Sequence, residues 1–223
     1  MPNLFIISGC NGSGKTTASY TMLPEILGCS QFVNSDEFAK GLSPFNPEAA
    51  SVSASRLMLV KTKFLFERNE DFAIETTLST RSLRKAIMSA KDRGYFVTVL
   101  YLWLNSPELA VERVRKRVQA GGHGIPEPVI RRRYYMGLRY FFEDYREIAD
   151  RWILADNSET PFKVVAQGWK NSMIVKDNIK YNEIESISKM VGLELEKEER
   201  RLQQEKEGLP QRQDNPINTQ SDE

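Results

Sequence analysis

Phe5-Ile6-Ile7-Ser8-Gly9-Cys10-Asn11-Gly12-Ser13-Gly14-Lys15-Thr16-Thr17 runs an apolar strand straight into a G-x-x-x-x-G-K-[ST] loop. A strand before the loop and a helix-compatible sequence after it is the setting in which this pattern cradles phosphate. Gly12 and Gly14 open backbone angles that a Cβ resists, so successive N–H groups converge on one anion. The expected nucleotide-binding residues are Gly9, Cys10, Asn11, Gly12, Ser13, Gly14, Lys15, Thr16 and Thr17. Lys15 is placed to reach the β- and γ-phosphates, and the Thr16 hydroxyl to ligate Mg²⁺. The helix opening near Lys15 points its positive end at the same phosphates.

Working outward, short apolar or β-branched runs bounded by Gly, Asn, Asp or Ser predict strands at 4–8, 31–34, 72–76, 96–104 and 152–155, with a further short one at 163–166. Helical stretches fall between them at 15–27, 47–68, 81–93, 107–118 and 126–150. Ser106-Pro107-Glu108 is a capping residue followed by proline at the first helical position. The alternation predicts an α/β domain, a five-stranded parallel sheet with helices on both faces. Functional residues are then expected at the carboxyl ends of the strands.

Of the 223 residues, 40% are hydrophobic and 27% charged, enough for one sizeable core. A net charge of +1 argues against a generic nucleic-acid binder. Two cysteines give no disulfide framework, and no signal peptide or membrane-length apolar run is evident, so a cytoplasmic protein is expected. Beyond Tyr181 no aromatic residue occurs. We therefore divide the chain into a phosphate-loop domain at 1–170, a peripheral helical extension at 171–192 and a charged, largely disordered tail at 193–223.

Asp36 follows the second strand and would face the cleft beside the phosphate loop. A carboxylate there suits a general base that takes a proton from an acceptor hydroxyl; capping a helix, or holding Mg²⁺ through water, are the other roles open to it. Glu75 closes the third strand, and a charge in an apolar strand needs a partner. Mg²⁺-bound water and a substrate hydroxyl are the candidates, with Thr76 adding a substrate-binding hydroxyl.

Between residues 112 and 133 seven Lys or Arg stand against two Glu. Two basic helices joined by Gln119-Ala120-Gly121-Gly122-His123-Gly124-Ile125-Pro126 predict a lid at about 113–133 that closes over phosphates. Arg113 and Arg117 share a helical face, and Arg132 and Arg133 are the candidates from the second helix. A solvated basic face, or RNA contact, is the alternative use of the cluster. His123, the only histidine, sits where it could touch phosphate or acceptor, and no nearby His or Cys supports a zinc site. The aromatic stripe at Leu138, Phe141, Phe142 and Tyr145 has helical spacing and reads as core. Asp156-Asn157-Ser158 is placed to approach the adenine.

G-C-N-G-S-G-K-T-T, N-S-D-E-F-A-K-G-L-S-P, I-E-T-T-L, R-V-R-K-R-V-Q-A-G-G-H-G-I-P-E-P-V-I-R-R-R-Y and A-D-N-S together resemble the zeta-toxin-like family of P-loop kinases, over roughly residues 1–168. The resemblance implies a nucleoside-monophosphate-kinase-like fold, ATP and Mg²⁺ use, and phosphate transfer to the sugar of UDP-N-acetylglucosamine or a related metabolite, with an antitoxin as partner. It assigns Lys15 and Thr16 to the phosphates and Mg²⁺, Asp36 to base catalysis, Glu75 and Thr76 to the acceptor, and Arg117 or Arg113 to the transferred phosphate. Where the toxins carry a second arginine, this chain has Gly-His-Gly-Ile-Pro, so His123 or Arg132 would substitute; the pattern marks a distinct subgroup. The expected activity is that of an ATP-dependent kinase acting on a small-molecule hydroxyl. The alternatives are a nucleotide-dependent switch with ATPase activity and a polynucleotide kinase.

Overall fold

Strand β1 (Asn3–Ser8) is buried along almost its whole length, as the middle strand of a parallel sheet must be when helices cover both faces. The computed structural model describes residues 1–25, 27–122, 124–169 and 172–207, with side chains as far as Glu194. His123 and the end of the expected tail, 208–223, lie outside the described residues.

β1 is flanked by β3 (Phe72–Thr76) and β4 (Phe96–Trp103), both parallel to it. β2 (Phe32–Val33) pairs with β3, and β5 (Arg151–Asp156) with β4, again parallel. Two antiparallel strands, β6 (Lys163–Trp169) and β7 (Ser172–Val175), extend the sheet to the order β2-β3-β1-β4-β5-β6-β7. The expected count of five strands is therefore corrected to seven among the described residues. β7 escaped the sequence reading because it is an edge strand of four mostly exposed residues, with no buried alternation to reveal it.

The pleat sorts β1 between two cores: Leu4 and Ile6 face one, Phe5 and Ile7 the other. Helix α1 (Lys15–Glu25) packs on the second face through Leu23. The first face is covered by α3 (Ser51–Arg68), α4 (Ser82–Asp92), α5 (Pro107–Gln119), α6 (Glu127–Tyr140) and the start of α8 (Asn178–Glu207). Val111 and Val114 of α5 and Ile130, Tyr134 and Leu138 of α6 are buried in that core. Both arginine-bearing helices thus pack on the sheet through their apolar faces.

The expected helix at 126–150 is three pieces: α6, a π-helical turn at Phe141–Tyr145 and α7 (Arg146–Ile148). Phe141, Phe142 and Tyr145 are buried as their spacing indicates. Asp144, buried within the turn, binds Arg81 at 2.7 Å and Arg84 at 3.1 Å. A separate helix α2 (Ser35–Leu42) precedes α3, and the Asn34 side chain caps it by accepting from the Asp36 N–H at 2.8 Å. α8 is one helix across position 193, the expected boundary of the charged tail.

Candidate active site

Parallel register brings three strand ends to one edge. Ser8 of β1 lies beside Thr76 of β3, and Val33 of β2 beside Ile74. The phosphate loop, the start of α2 and the end of β3 therefore line a single cleft of about 930 Å³. The loop that enters it is packed as closely as its glycines allow. A Cβ on Gly12 (φ +79) would come within 2.7 Å of the Ala110 carbonyl, and one on Gly14 (φ +83) within 2.5 Å of Asn157 Nδ2. Both the backbone angle and the space exclude larger residues there.

At the floor, Lys15 is buried and its Nζ donates to the Cys10 carbonyl at 2.9 Å, with Glu75 Oε1 4.0 Å away. Glu75 accepts from the Thr16 hydroxyl at 2.9 Å and from Asn34 Nδ2 at 2.9 Å. Burial lowers the Lys15 pKa, opposed by the Glu75 charge. Burial likewise raises that of Glu75, opposed by Lys15 and by the Thr16 hydrogen bond. Burial thus pushes both groups toward their neutral forms, and each one's charge, 4.0 Å from the other, opposes that push where the loop meets the helix.

Asp36, the second residue of α2, lines the same cleft. Its charge acts on three of its neighbours. It opposes the desolvation of Lys15 and of Arg133, and it adds to the burial that disfavours the charged form of Glu75. Thr76 and Thr77 line the cleft beyond Glu75. The turn after them is bent by Leu78, buried at φ +51, whose N–H donates to Thr76 Oγ1 at 3.1 Å.

The basic cluster divides. Arg117 and Arg133 line the cleft, and Arg133 donates to the Asn11 side chain of the phosphate loop at 3.1 Å. Arg132, expected to reach in from the second helix, is exposed and does not line the cleft. With Ile130, Tyr134 and Gly137 facing the core, the 100° step per residue turns position 132 to solvent and brings 133 to the cleft. Arg113 also lines the cleft, but its guanidinium grips the backbone, donating to the Asn157 and Ser158 carbonyls at 2.8 Å each. Those carbonyls, expected near the adenine, are therefore occupied by protein. Arg115 and Arg131 pair with Glu127, Arg131 also with Glu108, and Lys116 pairs with Glu112.

Lining residues that the sequence did not single out include Ser55 and Met58 of α3, Ala18, Thr21 and Met22 of α1, and Thr160, Pro161 and Phe162. Helical position alone carries no mark of facing a cleft, so no local signal could have found those on α1 and α3.

The AAA domain family matches residues 4–134, more than half of the chain. The chain belongs to the AAA domain family. An uncharacterized protein of Haemophilus influenzae is 32% identical to it over 126 residues, 56% of this chain and 88% of that protein. Among solved structures, a chain of the AvrRxo1-ORF1:AvrRxo1-ORF2 complex crystallised with ATP superimposes with a TM-score of 0.66 at 19% identity, over 82% of this chain and 63% of that chain. This AAA-domain chain thus spans less than two thirds of that neighbour. The PezAT chromosomal toxin–antitoxin system of Streptococcus pneumoniae matches with a TM-score of 0.58 at 16% identity, over 87% of each chain. At these identities the likeness shows the fold, an α/β P-loop kinase-like one. No helix among the described residues is long and apolar enough to cross a membrane.

Proposed function

We propose that this AAA-domain protein is an ATP- and Mg²⁺-dependent kinase that transfers the γ-phosphoryl group to a hydroxyl of a small molecule. The observation that carries the reading is the convergence of Lys15, Thr16, Asp36, Glu75 and Arg133 on one cleft large enough for two substrates.

Phosphate-loop N–H groups and Lys15 would hold the triphosphate, Lys15 exchanging the Cys10 carbonyl for phosphate oxygen. Asp36 would accept the proton of the acceptor hydroxyl as its oxygen attacks phosphorus and the bond to the β-phosphate oxygen breaks, leaving ADP and a phosphate monoester. Arg133 and Arg117 would neutralise charge on the moving group, with the α5–α6 connection closing above them.

The donor set fits Mg²⁺: one hydroxyl and one partly buried carboxylate, both hard oxygen ligands, already in contact at Thr16 and Glu75. Among the described residues no group of three His, Cys, Asp or Glu could cage an ion, which suits a metal that keeps waters and phosphate oxygens. When bound, Mg²⁺ supplies neutralisation of phosphate charge. Glu127, Glu112 and Glu108, paired with Arg115, Lys116 and Arg131, offset part of the basic charge that a polynucleotide would need. The two structural neighbours come from a toxin–antitoxin system and from a two-protein assembly, and an antitoxin-like partner belongs to this reading.

The test is incubation with MgATP and a panel of nucleotide sugars, nucleosides, sugars and RNA ends, read by mass spectrometry. A one-phosphate mass gain on a small-molecule hydroxyl, lost in Asp36→Asn, is expected. Acceptor-independent ATP hydrolysis insensitive to Asp36→Asn would overturn the reading.

A further inference from the structure

A phosphate loop that turns its N–H groups toward an anion points the carbonyls of the same peptides the other way, where those that are buried need partners. In a trans peptide the two point in opposite directions. The Ser13 carbonyl, whose peptide carries the Gly14 N–H, accepts from Asn157 Nδ2 at 2.7 Å. Asn157 is itself fixed. Its N–H donates to the Trp103 carbonyl at 2.8 Å, and its carbonyl takes one prong of Arg113 while Ser158 takes the other. Arg113 lies against the far side of the loop, where a Cβ on Gly12 would meet the Arg113 Cβ at 3.3 Å. The phosphate loop, Arg113 and Asn157 thus form a closed ring of contacts. Outside it, Asp156 accepts from the Ser158 N–H at 2.9 Å and from Lys180 of α8 at 2.6 Å.

We propose that Asn157, clamped by Arg113, is a positioning residue that presets the Ser13–Gly14 peptide for phosphate and does not read the adenine. Arg113 is then the holder of this brace, not a ligand of the transferred group. The proposal rests on the nucleotide-binding part of the reading above. It predicts that affinity for the bare phosphate chain depends on Asn157 as strongly as affinity for ATP does.

The experiment measures dissociation constants for MgATP and for magnesium tripolyphosphate, which has neither base nor ribose. Wild type, Asn157→Leu and Arg113→Lys are compared by calorimetry, with melting temperatures recorded. Asn157→Leu keeps the side-chain size without a donor, and Arg113→Lys keeps the charge without the two-pronged grip. Both variants should remain folded at the assay temperature, melting somewhat below wild type, and lose about tenfold in affinity for both ligands, the scale of one preorganising hydrogen bond. A loss confined to ATP would overturn the proposal by assigning Asn157 to the base or ribose. Unchanged affinity for both ligands would overturn it as well. Failure of the wild-type protein to bind either ligand would refute nucleotide binding itself, and the brace with it.

Discussion

The Thr16 hydroxyl donates to the Glu75 carboxylate across 2.9 Å, joining the first helical turn after the phosphate loop to the end of the neighbouring strand. The contact exists because β1 and β3 are parallel neighbours with Ser8 beside Thr76. It also fixes where a carboxylate can meet a nucleotide's phosphates.

That carboxylate gives a pH signature. Its folded pKa lies above the usual 4.5 because burial disfavours the charge. The stabilisation is full below 4.5, where the group is protonated in both states, and is lost as pH rises through the folded value. The nucleotide-free wild type should therefore lose stability relative to Glu75→Gln as pH is raised from 4.5 upward. Paired thermal melts across that window check it, and a difference that grows with pH in the opposite sense would contradict the assignment.

Asp36→Asn should lower phosphoryl transfer roughly 10²–10⁴-fold, the usual worth of a positioned base. ATP affinity should change less than about twofold, because the loop and Lys15 supply the phosphate contacts. Single-turnover assays beside nucleotide titration separate the two. Equal loss in both would make Asp36 a binding residue.

Arg133 and Arg132 provide an internal control one residue apart. Arg133→Ala should reduce turnover by up to about 10³-fold, as expected for an arginine aimed at the transferred group. Arg132→Ala, on the exposed side of α6, should leave turnover nearly unchanged. Steady-state kinetics with the identified acceptor decide it, and a larger loss at Arg132 would mean that α6 rotates on substrate binding.

Gly137 lets α6 lie directly on the turn after β3, since a Cβ there would strike the Thr77 carbonyl. Gly137→Ala should cost about 1–3 kcal/mol, the usual penalty of overpacking a filled site. It should also raise the acceptor KM by displacing Thr76 and Thr77. Chemical denaturation and acceptor titration measure the two effects, and an unchanged midpoint would show that the helix moves away freely.

Some of this site was readable along the chain. The glycine spacing before Lys15-Thr16 states its own chemistry, and Phe72–Thr76 appears in the structure as the expected strand. An apolar run closed by a charged residue is a local signal, so Glu75 stood out before any coordinates. Position 133 was not separable from 132, because a triplet of arginines carries no mark of which face the helix buries. Ser55 and Met58 left no trace, since nothing near them in sequence touches the cleft.

Local chemistry thus determined the phosphate loop, most of the parallel strands and the carboxylates at their ends, because those signals depend on residues a few positions apart. Tertiary packing alone decided the rest. The order of strands placed Glu75 against Thr16, the burial of Tyr134 and Gly137 turned Arg133 inward, and the return of the chain after β5 brought Asn157 to Ser13 across 144 positions. Contacts between such distant residues arise from how a whole core closes, and no window of sequence contains both partners.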